Sequence, residues 1–292
     1  MIDSFLKYLQ FEKRLSPHTL TSYKSDLTQA ESFLNSEFSY GLKDANYQAL
    51  RTWLIHLVEQ GLESKSVNRK IASLKSYYKF LLRREEIEKS PADKLKPLKT
   101  PKMLPSFVRE SEMTTLLDQI PFPEGFVGVR DKLILDFLYG TGMRLSELIN
   151  LKDEDINFYQ GHVKVLGKRN KERVIPIPAP LVEEVRKYIL LKKEHLSENF
   201  SNFLIVTDEG GKAYPMMIYR TVKAYLNMVT SSEKKSPHVL RHTFATHLLN
   251  KGADLNAVKD LLGHANLAAT QVYTHNTLDK LKSVYKQAHP KA

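Results

Sequence analysis

The 292 residues carry a formal charge of +11 and 42% hydrophobic side chains, enough for two domains with ordinary cores and a basic surface suited to a polyanion, nucleic acid foremost. There is no cysteine, which excludes disulfides, thiol catalysis and Cys-ligated zinc or iron–sulfur centres. No apolar run approaches the roughly 20 residues that cross a bilayer, and Met1-Ile2-Asp3 opens no signal peptide, so a soluble cytoplasmic protein with no membrane partner is expected.

Residues 1 to 88 read as all-helical. After Ser16-Pro17, the residues Leu20, Tyr23, Leu27, Ala30 and Leu34 follow a helical stripe. Asp44 is placed to cap the next helix, with Leu50, Trp53, Leu54 and Leu57 inward and Gly61 closing it. In the helix from Lys65 to Arg84, Val67, Ile71, Leu74, Tyr78 and Leu81 share one sector. Lys65, Arg69, Lys79 and Arg83 fall opposite, with the small residues Ala72 and Ser76 between them. Such an outer face can lie in a major groove and touch phosphates, so these four are candidate DNA contacts; a merely solvated basic face is the competing reading.

Residues 89 to 105 hold four prolines and several lysines without periodicity, a basic, extended linker. The second domain, 106 to 292, opens with a helix near Glu110 to Gln119. A second helix, Val129 to Tyr139, breaks at Gly140-Thr141-Gly142. Arg144 then starts a new helix with Glu147 three residues on. Residues 162 to 166 and 172 to 178 alternate and are β-branched, a hairpin with the basic tip Gly167-Lys168-Arg169-Asn170-Lys171. A tip lysine near a phosphate could protonate a leaving oxygen. Leu181 to His195 reads as a helix, Phe203 to Val206 as a short strand and Pro215 to Met228 as a helix, on which Tyr219, Arg220 and Lys223 are further candidate DNA contacts. Gly210-Gly211 reads as a turn.

The stretch from Ser236 to Tyr273 carries the chemistry. Ser236 suits an N-cap, Pro237 the first helical position and Gly252 the stop, while Leu240, Phe244 and Leu248 form a core stripe. His238 and Arg241 share another face near the positive helix start. Asp254 and Gly263 bracket a second helix that delivers His264, and Asn266 can cap a third that presents Tyr273. Arginine's fork binds two phosphate oxygens, histidine can donate to a phosphoryl oxygen or take a proton, and tyrosine can act as a covalent nucleophile. A free phenol has a pKa of about 10, so ionising it at neutrality costs about 4 kcal/mol and requires a base or a strongly cationic pocket. His238, His242 and His247 have partial zinc spacing, but without a zinc-protease glutamate or any cysteine a structural or DNA-facing role fits His242 and His247 better.

The segments GTGMRLSEL (140 to 148), LGKRNKERVIPIP (166 to 178), HVLRHTFATHLLNKGADL (238 to 255) and LLGHANLAATQVYTH (261 to 275) occur in one order. By them the chain resembles the tyrosine site-specific recombinases, the phage-integrase family, and over its whole length the bacterial Xer recombinases within it. Arg169 departs from the family's Gly-Lys-Gly hairpin tip. The resemblance implies a mainly α, two-domain DNA clamp: a helical core-binding domain and a catalytic domain with a small antiparallel hairpin and a C-terminal docking helix, Thr277 to Ala288. It implies that Arg144, Lys168, His238, Arg241 and His264 form the phosphate pocket and that Tyr273 is the nucleophile, with Glu147 orienting Arg144. Neither metal nor ATP is then required, and no cofactor is expected. Further implications are a tetramer on two DNA sites, of this chain alone or with a second Xer recombinase, and resolution of chromosome dimers at cell division. The role of a septal DNA translocase stays open. The integrase of a mobile element is the alternative within the family. A type IB topoisomerase would use similar Tyr, Arg and Lys chemistry without needing a docking tail, and a DNA-binding protein without catalysis would not need all six positions filled.

Overall fold

Two of the helix starts in the first unit are set by side-chain caps, Ser16 and Asn46. In the computed structural model, which describes residues 1–101, 106–167, 172–197, 201–263 and 288, the chain divides into Met1–Met103 and Leu104–Ala292. Helix α1 (Ile2–Lys7) continues into a π-turn at Tyr8–Glu12. Helix α2 (Pro17–Phe38) starts where the Ser16 hydroxyl accepts the Thr19 N–H, with proline in the first turn. Asn46, not Asp44, caps α3 (Tyr47–Glu59), its Oδ1 accepting the Ala49 N–H at 2.9 Å. Asp44 is used up in a 3-10 turn, Leu42–Asp44, which moves the cap two residues on.

Helix α4 (Ser64–Arg83) buries Val67, Ile71, Leu74, Tyr78 and Leu81 as its periodicity predicts, around a core shared with Phe5, Leu27, Leu34 and Trp53. Each such fully buried large side chain contributes about 1.5–3 kcal/mol. A buried charge cluster ties α2 to α4: Asp26 accepts from Lys70 Nζ at 3.0 Å, Ser73 Oγ at 2.8 Å and the Arg69 guanidinium. The stretch after 88, expected as free linker, packs on this unit for ten residues. Ala92 and Leu95 are buried in its core, and Asn68 pairs with both backbone groups of Leu98.

The second unit opens with α5 (Glu110–Thr114), which runs into a π-turn at Thr115–Gln119, and then α6 (Phe126–Thr141). Helix α6 starts three residues before Val129 and breaks within Gly140-Thr141-Gly142 as expected, at the last of the three. The Thr141 hydroxyl bonds back to the Phe137 carbonyl at 2.5 Å, and the helix stops at Gly142, in the left-handed region at φ 59°. Helix α7 (Leu145–Asn150) follows. The sheet has one strand more than expected: β1 (Ile156–Asn157) joins β2 (His162–Leu166) and β3 (Glu172–Pro176), antiparallel in the order β1-β2-β3. Val163 faces Ile175 and Val165 faces Arg173 across β2 and β3.

Helices α8 (Ala179–Leu196), α9 (Pro215–Val229), α10 (Pro237–Asn250) and α11 (Leu255–Leu262) complete the described part. Phe203 to Val206 is not a strand: it forms isolated bridges, Lys152 with Phe203 and Val206 with Lys212. The fully buried Lys192 holds it instead, reaching the Phe203 carbonyl at 3.0 Å and the Asp153 carboxylate at 2.7 Å. Gly210 turns at φ 81° with its N–H on the Thr207 carbonyl. Ser236 stands at the N-cap of α10 without a side-chain cap bond. Asp254 does cap α11, accepting from Asn256 and Ala257, and Gly263 ends it at φ 63°. No described helix is long and apolar enough to cross a membrane.

Candidate active site

Arg144 is set in place by the turn between α6 and α7. At Gly142 an added Cβ would lie 2.3 Å from Cδ1 of Phe244 on α10, so only glycine lets the turn sit this close. Arg144 then takes the N-cap position of α7, and Glu147 folds back over it. One carboxylate oxygen of Glu147 accepts the Arg144 backbone N–H at 2.7 Å, and the other accepts Arg144 Nη1 at 2.8 Å. Glu147 is buried, at 5% exposure.

Two more arginines complete the cluster. Arg173 of β3 forks onto Glu147, with Nη1 to Oε1 at 2.7 Å and Nη2 to Oε2 at 2.8 Å. Arg241 of α10 spans from the Gly142 carbonyl at 2.5 Å to the Leu262 carbonyl at 2.6 Å. Together they close the C-terminus of α11. Its last carbonyls, which lack intrahelical partners, each receive a different guanidinium: Leu261 from Arg173 at 3.0 Å, Leu262 from Arg241, and Gly263 from Arg144 at 3.1 Å. Cations at this negative helix end are favourable.

The charge balance is uneven. Burial alone would raise the Glu147 pKa, but the fork and charge of Arg173, then the N–H and guanidinium of Arg144, hold it down at about 2. Burial, then the neighbouring Arg144 charge, lowers the Arg241 pKa to about 10. Thus three guanidiniums meet one carboxylate, and Arg241 makes only backbone hydrogen bonds among the described residues. A cluster with that surplus has the chemistry to receive an anion.

Arg144 and Arg241 are therefore brought together as the motifs suggested, and Glu147 with them. His238 sits exposed in the first turn of α10, three residues before Arg241. Lys168, His264, Asn266 and Tyr273 lie outside the described residues, as do Arg169 and, apart from Ala288, the expected final helix. His247 is a core residue: its Nδ1 pairs with the Tyr139 hydroxyl at 3.0 Å, and burial lowers its pKa. Among the described residues no three His, Asp or Glu side chains gather as a metal-binding group.

The basic face of α4 is exposed at Lys65, Arg69, Lys79 and Arg83. Two of the four are engaged within the unit, Arg69 with Asp26 and Arg83 with the Tyr8 hydroxyl at 2.7 Å. A cleft of about 330 Å³ lies beside this face, lined by His18, Ser22, Tyr23 and Arg69 among others. Tyr219, Arg220 and Lys223 are exposed on α9 without a described bond to the arginine cluster. Arg173 escaped the sequence reading. Its signal was phase: in an alternating strand it falls on the same side as the buried Ile175, so a charge faced the core and required a buried partner.

Comparison with known proteins places this arrangement. The description Phage integrase family covers residues 106–279, and Phage integrase, N-terminal SAM-like domain, covers residues 2–85. The tyrosine recombinase XerC of Chlorobaculum parvum is 38% identical, across 100% of this chain and 94% of its own length. That of Oceanobacillus iheyensis is 39% identical, across 100% and 96%. Among solved structures, the XerH site-specific recombinase in a post-cleavage complex with palindromic difH substrate superposes with a TM-score of 0.73 at 20% identity, covering 98% of this chain and 81% of that one. The Tn1549 transposon integrase bound to circular intermediate DNA gives 0.69 at 21% identity, over 96% and 97%; at these identities the likeness is one of fold. The chain thus belongs to the phage integrase family and is a site-specific tyrosine recombinase, an enzyme that breaks and rejoins DNA.

Proposed function

We propose that this recombinase exchanges DNA strands through a 3′-phosphotyrosyl link to Tyr273, and that it resolves chromosome dimers in the cytoplasm at cell division. The observation that carries the chemistry is the arginine cluster, where Arg144 and Arg241 converge on adjacent carbonyls with a single carboxylate for three guanidiniums. Such a site favours the extra negative charge that develops on a five-coordinate phosphorus.

In this reading the Tyr273 oxygen attacks the scissile phosphorus in line, and the bond to the 5′ oxygen breaks. Lys168, which follows β2 in the chain, protonates that leaving oxygen. His238, exposed one turn before Arg241, accepts the tyrosine proton. Arg144 and Arg241, with His264, neutralise the non-bridging oxygens. The phosphotyrosine conserves the bond energy, so a 5′ hydroxyl of another strand can reverse the step without ATP. Domains 1–88 and 106–292 would clamp the duplex, with the basic face of α4 toward phosphates. Four protomers would hold two sites, with self or a second Xer recombinase as partner and a septal translocase as a candidate activator.

The test is a nicked suicide duplex made from a host chromosomal fragment that the full-length protein selects by binding, incubated in EDTA and run on a denaturing gel. A protein–DNA adduct that forms with wild type and disappears in Tyr273→Phe is expected. An adduct that persists in Tyr273→Phe would remove the nucleophile assignment.

A further inference from the structure

Arg173 joins three parts of the site that chain order keeps apart: the start of α7, strand β3 and the end of α11. We propose that it is a positioning residue for strand cleavage, which fixes the Arg144 guanidinium through Glu147 and the end of α11 through the Leu261 carbonyl. The inference rests on the reading of Arg144 as a phosphate ligand.

Three observations carry it. First, Glu147 is saturated. Each of its oxygens accepts one bond from Arg144 and one from Arg173, which fills the acceptor sites of a carboxylate. Without the fork, the carboxylate would hold Arg144 by two bonds and could swing about its own torsions. With it, the plane of the carboxylate, and so the direction of the Arg144 guanidinium, is set by a strand. Second, Arg173 is 5% exposed and its Nε, Nη1 and Nη2 are all engaged by the Leu261 carbonyl and Glu147, whereas the side chain of Arg144 is 22% exposed. The buried arginine therefore acts through the open one. Third, Arg173 is packed against the end of α11 as well as bonded to it. An added Cβ at Gly263 would come within 3.1 Å of its Cδ and 3.2 Å of its Nε.

The side chain thus aligns the carbonyl row at residues 261 to 263 with the two phosphate-directed arginines. A lysine at 173 would keep the charge but lose the two-pronged grip, because a single ammonium cannot satisfy both oxygens and the Leu261 carbonyl in this planar geometry.

The experiment measures single-turnover adduct formation on the nicked duplex described above, with DNA retention and thermal melting in parallel. Arg173→Lys should slow the adduct by roughly 100-fold, the loss that follows small misplacement of a reacting group. DNA retention should not change. The same substitution in an Arg144→Lys background should slow cleavage by much less, the remainder reflecting its hold on the end of α11, although its effect on melting persists. Equal slowing in both backgrounds would show that Arg173 acts independently of Arg144 and would overturn the proposal, as would wild-type cleavage by Arg173→Lys. If Arg144→Lys itself cleaves at the wild-type rate, it is the assignment of Arg144 that has failed, and the proposal falls with it. Should Arg173→Lys not fold, Glu147→Gln replaces it in both backgrounds with the same expectations, since it keeps the shape and removes the charge that Arg173 orients.

Discussion

Both units bury a carboxylate among cations, and the two clusters do different work. In the first, Asp26 takes Lys70, Ser73 and Arg69, and Lys70 also reaches Gln29 and lies over the Trp53 ring. The carboxylate is 1% exposed and both sides of the contact are helix surface, so the cluster staples α2 to α4. In the second, Glu147 meets two arginines while a third, Arg241, stands close by with only backbone hydrogen bonds among the described residues. The difference lies in whether each cation meets the carboxylate: both Lys70 and Arg69 bond Asp26, and Arg69 is half exposed to solvent, whereas Arg241 is buried without an acid partner among the described residues. Cations that all meet their carboxylate contribute to stability, whereas a buried guanidinium bonded only to backbone is poised for an anion from outside.

That contrast gives the largest prediction. Arg241→Gln should reduce adduct formation by on the order of 10³-fold, the scale for losing a preorganised donor at developing charge. It should lower thermal melting only modestly, because the folded state already disfavours this charge through burial and through Arg144, which offsets part of the lost bonds to the Gly142 and Leu262 carbonyls. A large drop in melting with cleavage retained would reverse the assignment and make Arg241 a staple. Asp26→Asn should do the opposite. Leaving Lys70 and Arg69 without their carboxylate should cost the first unit about 3 kcal/mol in denaturant unfolding, the usual penalty for breaking a buried pair. A cost under about 1 kcal/mol would mean that Lys70 is held by Gln29 and the Trp53 ring instead.

Where the sequence was legible, the signal was local. The stripe of α4, the two strands of the hairpin, the Asp254 cap and the pair of Arg144 with Glu147 are all set by spacings of two to four residues. The errors arose where a tertiary contact decided between local options. Asp44 and Asn46 both suit a cap, and the 3-10 turn that takes in Asp44 leaves the position to Asn46. Residues 203 to 206 are apolar enough for a strand but have no ladder beside them, and a buried lysine anchors them. Arg173 and Glu147 are 26 positions apart, so no window contains both, and only the inward phase of Arg173 hinted at the bond.

The Glu147 cluster should also leave a mark on acid stability. Its folded pKa, about 2, lies below the ordinary carboxylate value of 4.5, so its contribution is complete above the latter and is lost as pH falls through the former. The shift corresponds to roughly 3 kcal/mol. Denaturant unfolding of wild type and Glu147→Gln should therefore differ most above about pH 5 and converge toward about pH 2. A gap that stays constant over that window would mean that the carboxylate charge is not what the arginines recognise.

The smallest effect is on DNA binding by the first unit. Each phosphate contact contributes about one unit to the slope of log affinity against log salt. Lys79 is exposed on α4 and has no described ion-pair partner, so if this face meets DNA, Lys79→Ala should flatten the slope by about one unit. Arg69 occupies the same face, but Asp26 already offsets part of its charge, and Arg69→Ala should flatten the slope by less. Asp26→Asn then becomes the informative control: in protein that remains folded it should raise the slope, since it removes the internal counter-charge and leaves Arg69 for phosphate. If the slope ignores Lys79, the basic face of α4 points at solvent, and the Asp26 cluster is a staple with no part in binding.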